Sequence, residues 1–486
     1  MAIGTITFEQ KPISGTVELP VITNWTPIIP YAVKQTSIVD LFYFKFILEI
    51  RLTGAAGTLL GKIKQKQNPY ETGTANVTAV FDIRDIVNTQ LSTQVVDYNA
   101  VKNTIHTLGE NDAAKIFSLN TSQLITVYVK AYQQFSESAT ASPSEDTSST
   151  VNSTLFYTPA SLDLNVTRGT TRLQLDAFDA YQLNSSVKQL LTDVNKSYNE
   201  RAILTAPITN VYRNYVRTTD YHTVGFLNGE DDFDCQAWYW EIIYYSKPGS
   251  VTGTHELVND ASNGGAKPIS SGTEVNADTE RLIYFGCGPA NLEASTVTPA
   301  GGSSGDAKPS NNGSWTYYTI QGLNASSGTP KTDAYYFIKD DDNCKGFEIR
   351  RLAWRNSLGC WDYFNFKMKS TQTLKIDRDS YEAMMGEFSQ DVYSYNNFEG
   401  GKKIRRTAAI LSETINTDWI TEEEAVFLEN LMKATKVQLI ENDYTTYTVP
   451  VLIKDTNFVK KTDVNNRLKI QYTFKIEYAN PINTNS

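Results

Sequence analysis

Two acidic runs, three histidines, four cysteines and one glycine-rich turn hold the side chains from which this sequence could build chemistry. The acidic runs are GEDDFDC, with Glu230, Asp231, Asp232 and Asp234, and KDDDNC, with Asp340, Asp341 and Asp342. Paired carboxylates serve glycosidases as acid and base, and carboxylate oxygens ligate calcium. Neither run has the D-x-D-x-D-G spacing with a distal glutamate, and adjacent acids in a polar stretch read as a solvated surface. His106, His222 and His255 are far apart with no motif around them, and His255 falls in a polar stretch, so none reads as a general base. FGCGPAN at 285–291 contains Gly-Cys-Gly without a convincing helix after it, which makes it a turn rather than a phosphate cradle. Cys235, Cys287, Cys344 and Cys360 form no Cys-x-x-Cys pair and have no paired histidines for zinc; they read as reduced, partly buried thiols. The residues therefore assign no catalytic group, no cofactor and no metal ligand.

The aromatic residues carry more information. In CQAWYWEIIYYS, strand alternation puts Trp238, Trp240, Ile242 and Tyr244 on one face. That face suits core or subunit packing, with a sugar-binding platform as the alternative. In EIRRLAWRNSLGCWDYFNFKM, residues 348–368, a strand ending at Trp354 meets a turn holding Asn356 and Gly359. Asparagine and glycine both tolerate the backbone angles of a tight reversal. Asp362 can cap the free amides of the turn, and Tyr363, Phe364 and Phe366 continue as a strand. The stretch reads as a structural β corner in which no residue needs a substrate.

The elements that position these residues are mostly strands. At 486 residues the chain exceeds one ordinary core, and 40% hydrophobic with 20% charged residues marks a globular polypeptide. Aromatics reach 12%, with 28 Tyr and 21 Phe, the composition of pleated, half-buried surfaces. The net charge is -10 and no basic run stands out, so the sequence implies no nucleic-acid partner. No secretory signal is read at the N-terminus, and no apolar run approaches the ~20 residues that cross a bilayer, so synthesis in a cytoplasm without membrane insertion is expected.

FYFKFILEIRL (42–52) alternates along one long strand, and LITVYVKAYQQF (124–135) does so again. RDIVNTQL reads as a short helix or turn. Residues 136–153 are small and polar and read as an exposed loop or linker, as do 247–278 and 294–314. DAYQLNSSVKQLLTDV is a helix candidate. TEEEAVFLENLMKAT is the clearest helix, with Thr421 and Glu424 at capping-box spacing. Asn465 and Asn466 stand where a last hairpin would turn. The expected fold is mainly β: antiparallel β sandwiches or jelly-roll-like domains with a smaller α+β module at the C-terminus. The divisions fall at 1–153 for an N-terminal β domain and 154–202 for a connecting segment. A middle β sandwich with long polar insertions follows at 203–375, and the C-terminal module at 376–486.

The corner also carries a resemblance. A cysteine-containing strand leading into Leu-x-Trp-x-Asn-x-x-Gly-Gly-x-Asp-x-(aromatic)-x-Phe resembles virion structural proteins, tail- or neck-associated, of tailed phages that infect Bacteroidota, including crAss-like phages. Leu352, Trp354, Asn356, Gly359, Asp362, Phe364 and Phe366 match, and Cys360 stands where a second glycine is usual. AILTAPITNVYRNYVRTTDYHTVGFLNG, GCGPANL and the helix with its following strands are similar to other parts of that pattern, from about residue 200 onward. The resemblance implies a non-enzymatic homo-oligomeric protein of the tail, tail tip or neck. Its partners would be copies of itself and other virion proteins, and its location the virion. A receptor- or glycan-binding module displayed on the particle, touching host surface glycan or receptor, is the alternative; a polysaccharide depolymerase is the third reading.

Overall fold

The structure, a computed structural model, describes residues 4–10, 21–23, 31–68, 75–90, 105–108, 117–119, 125–158, 190–192, 196–197, 211–227, 238–247, 250–258, 282–294, 315–324, 330, 332–340, 346–383, 386–389, 391–394, 401–440, 448–461, 470–480 and 482–485. The protein is mainly β, built from several largely antiparallel sheets. It divides into two compact units: residues up to Lys339 together with Asn356–Trp361, and Asp340–Arg355 together with Asp362 onward.

The first unit begins with a β sandwich. One sheet orders Ile6–Gln10, Tyr31–Ser37 and Ala75–Phe81; the other orders Val21–Thr23, Ser144–Thr158, Ile125–Ser136, Phe42–Leu52 and Leu59–Gln65. Alternation explains the shared core. Phe46, Leu48 and Ile50 point one way from their strand and meet Tyr31, Val33, Val77, Ala79 and Phe81 with no exposed surface to speak of. Ile47, on the opposite face, is also fully buried, so this strand is covered on both sides along its middle. The short helix expected near residue 84 is present as Arg84–Asn88, and Val87 joins the core.

Residues 136–153 are not a linker. After a short turn the chain pairs back on Ile125–Ser136 as the fifteen-residue strand Ser144–Thr158. Its side chains are polar because the early part is solvated, while its hydrogen bonds come from the backbone and need no apolar residue.

The rest of the first unit holds a six-stranded sheet, in the order Lys196–Ser197, Val211–Val216, Tyr335–Lys339, Tyr317–Asn324, Trp238–Lys247 and Ser250–Val258. A three-stranded sheet of Thr223–Leu227, Leu282–Gly286 and Phe117–Leu119 accompanies it. Val211–Val216 and Tyr335–Lys339 run parallel, as do Val21–Thr23 and Ser144–Thr158, in a fold whose strand pairs are otherwise largely antiparallel. Two sequence readings need correction here. Ser250–Val258 is a strand hydrogen-bonded to Trp238–Lys247, which takes His255 out of a loop and places it opposite Ile242. The Gly-Cys-Gly turn does lead into a helix, Pro289–Ala294, only six residues long, with proline at its first position, where a missing amide costs nothing.

The second unit is α+β. An eight-stranded sheet orders Trp361–Phe366, Arg350–Arg355, Val437–Ile440, Thr448–Ile453, Thr473–Tyr478, Gly401–Asn416 and Met368–Ala383, with Ile482–Asn485 added on Gly401–Asn416. Helix Glu422–Lys433 packs on this sheet through Phe427, whose ring lies 5.0 Å from that of Trp354. Thr421 caps it as expected: its hydroxyl accepts the Glu424 amide at 3.2 Å, and the Glu424 carboxylate accepts the Thr421 amide at 2.8 Å. The division expected after residue 375 cuts through the Met368–Ala383 strand. The helix candidate before residue 190 and the turn at Asn465 and Asn466 lie outside the described residues. Among the described residues no helix is long and apolar enough to cross a membrane.

Candidate functional site

The corner that links Arg350–Arg355 to Trp361–Phe366 is built by one asparagine. The Asn356 side-chain oxygen accepts the amides of Leu358 (3.1 Å) and Cys360 (2.9 Å), and its amide nitrogen donates to the Leu191 carbonyl at 3.2 Å. Gly359 has φ +85°, which a β-carbon would strain. Asn356 thus caps two amides of the turn, and Asp362 beside it is buried. Trp354 and Phe366 are fully buried, and Phe366 lies edge-on to both Phe364, at 5.1 Å, and Phe474, at 5.6 Å. Nothing in the corner faces solvent except Ser357. It is framework.

Two of the histidines belong to a buried polar knot in the first unit. His222 is 1% exposed; its Nε2 is 3.0 Å from the Tyr335 hydroxyl and its ring meets Phe337 edge-on. The Asn291 side chain accepts the His222 amide at 2.8 Å and donates to the carbonyls of His106 (2.9 Å) and Leu108 (2.8 Å). His106 packs edge-on against Trp361 at 4.7 Å. Gly288 sits where a β-carbon would collide with the His222 amide. GCGPAN is therefore a lock in which Asn291 joins three separate chain segments, a role that no local sequence signal reveals. Cys287 and Cys360 are buried free thiols. Cys235 and Cys344 lie outside the described residues.

Carboxylates come together on the solvent face of the N-terminal sandwich. The Tyr132 hydroxyl donates to Glu145 at 3.0 Å and to Glu49 at 3.3 Å, and Lys62 reaches both, at 3.2 and 3.5 Å. Arg51 lies 2.5 Å from Glu49 and Lys64 lies 3.0 Å from Glu145. The hydrogen bond from Lys64, helped by Tyr132 and Lys62, holds the Glu145 carboxyl down to about 2 against a partial cost of burial. Burial pushes Glu49 up, but Arg51 and Lys62 outweigh it and leave it below the ordinary range. Hydrolysis by a carboxylate pair needs one member protonated. Here cations keep both ionised, so this pair is a brace across strands.

Of the acidic runs in the sequence, Asp340 is described: it is buried and ion-paired with Lys367 at 2.6 Å. Glu230 to Asp234, Asp341 and Asp342 lie outside the described residues. Among the described residues no cluster of three metal-ligating side chains occurs. Trp238, Trp240 and Tyr244 take same-face positions on their strand, with Ile242 between the last two, opposite Asn324, Gly322 and Tyr318 of its neighbour, and the side chains of the three lie outside the described residues.

The surface that stands out is a ribbon which sequence reasoning missed. Met368–Ala383 and Gly401–Asn416 pair over their whole length, sixteen residues each, roughly 50 Å of strand. From Thr371 to Glu382 every residue of the outer strand is exposed, and so are Lys402 to Arg406 opposite. Apolar residues share this exposure: Leu374 (50%), Ile376 (45%), Tyr381 (46%) and Ile404 (48%). Beyond them a small hairpin, Glu387–Ser389 with Val392–Ser394, carries Val392 and Tyr393 in solvent. Among the described residues only the far end, Ser380–Ala383 with Gly401–Arg405, is two strands wide, and such an end is marginal in water unless something covers it.

No family model matches the sequence, and no curated protein matches it.

Proposed function

We propose that this protein is a non-enzymatic structural component of a phage virion, building part of the tail, tail tip or neck through subunit interfaces. The observation that carries the reading is the ribbon of Met368–Ala383 and Gly401–Asn416, which leaves leucine, isoleucine and tyrosine in water on an extended arm. Large exposed apolar surfaces on otherwise well-packed proteins mark interaction sites. Among the described residues, three groups with chemistry suited to catalysis support the same reading: His222 is enclosed, and Glu49 and Glu145 are neutralised by cations. The resemblance of the Trp354–Phe366 corner to virion proteins supplies the setting. Copies of the chain and other virion proteins are its partners, and the particle is where it ends.

The mass of the purified protein by light scattering, with negative-stain images of the same sample, tests this. A discrete multimer is expected. A stable monomer that binds host cells or purified surface glycan would replace the reading with that of a receptor- or glycan-binding module.

A further inference from the structure

We infer that two copies of this chain join through the outer strand of the ribbon, Met368–Ala383, pairing antiparallel with itself in a register centred on Ile376. The inference rests on the assembly reading above and names the surface and the partner. Its first support is the edge. Among the described residues no strand pairs with the outer side of Met368–Ala383, which ends the eight-stranded sheet. A bare edge presents a row of unpaired amides and carbonyls and is a template for another strand. The inner strand has no comparable free edge, because Ile482–Asn485 and Thr473–Tyr478 already occupy its other side at Arg406–Ala409 and Ser412–Asn416. The strand that matches this edge in length is the same strand of a second copy.

Charge selects the register. Symmetric antiparallel pairing places one residue opposite its own copy. With Ile376 at the centre, Lys375 faces Asp377 of the second copy and Asp377 faces its Lys375; Asp379 then lies opposite Thr373 and Glu382 opposite Ser370. No like charges meet. Moving the centre one residue either way sets Lys375 against itself or Asp377 against itself, which is unfavourable across a sheet. Within one copy Lys375, Asp377 and Asp379 make no ion pair with a described residue, so all three are available. On the opposite face, Leu374 and Ile376 stand beside Leu411 and Ala409 of the inner strand. At the joint Ile376 would meet its own copy and extend the Ala409–Ile376 row, covering a side chain now half in water, while Leu374 would lie against the stem of Arg378. Two eight-stranded sheets would become one, without an edge at this side.

The test is a charge exchange in the full chain, read by light scattering across a dilution series, with circular dichroism to confirm folding. Lys375 and Asp377 are exposed, so substitution leaves the core untouched. Lys375→Asp and Asp377→Lys alone should each raise the dimer dissociation constant about tenfold or more, and the double exchange should restore it. Single variants that assemble as the wild type does overturn this pairing and leave the assembly reading standing. Single variants that dissociate without rescue by the double exchange overturn the register. A wild-type monomer at every concentration overturns both proposals.

Discussion

Asn356 carries three hydrogen bonds on one side chain and leaves none of its polar atoms exposed to water. Replacing it with alanine strands two turn amides and one carbonyl in a buried place, and should lower stability by about 1–3 kcal/mol in urea denaturation. Asn356→Asp keeps the oxygen that accepts both amides but sets a second carboxylate oxygen against the Leu191 carbonyl in a buried place, so it should cost at least as much. Gly225 makes a second test. A β-carbon there would strike the Cys360 sulfur, so Gly225→Ala should destabilise the protein, and a Cys360→Gly background should remove most of that loss. Glu145 yields a prediction in pH. Its carboxyl is depressed in the folded state from 4.5 to about 2, so its contribution is complete above the ordinary value and disappears as pH falls through about 2. The gap in melting temperature between wild type and Glu145→Gln should therefore be steady near neutrality and close progressively in acid. The turn was legible in sequence because asparagine and glycine act within four residues of themselves. The Asn291 lock and the Glu49–Glu145 brace were not, since their partners lie 185 and 83 to 13 residues away.

Elements whose residues alternate around a core announce themselves. Phe42–Leu52 does so beyond its first residues: Phe46, Leu48 and Ile50 lie in the sandwich core and Phe44 and Leu52 pack against it, whereas Phe42, expected on the same face, is 43% exposed ahead of a bulge. Helix Glu422–Lys433 is equally plain, because its cap is a local motif; Thr421→Ala should cost about 1 kcal/mol by the same denaturation measurement. The ribbon gives no such signal. Both faces of its outer strand are wet, so STQTLKIDRDSYEA shows no period of two in hydrophobicity, and its strand state rests on pairing with residues that come 18 to 43 positions later. Ser144–Thr158 was hidden for the same reason. A polar stretch looks like a loop in sequence because it lacks an apolar face, but a strand bonded to a well-packed neighbour needs none.

The whole molecule repeats this lesson at a larger scale. Aromatic composition and alternation indicate the class, mainly β, while the divisions expected after residues 153 and 375 fall inside the strands Ser144–Thr158 and Met368–Ala383. The two compact units do not follow the chain simply. The path leaves the first unit after Lys339, returns for Asn356–Trp361, and leaves again. Those six returning residues supply the indole beside His106 and the amide that binds Leu191. As the chain emerges from a ribosome, then, the first unit remains unfinished until residue 361 is out, when the opening strand of the second has already been made. Folding of the two is interleaved in time. A chain stopped after Lys339 should consequently be cut by protease far faster than one stopped after Phe366, although the two differ by only a few strands' worth of sequence.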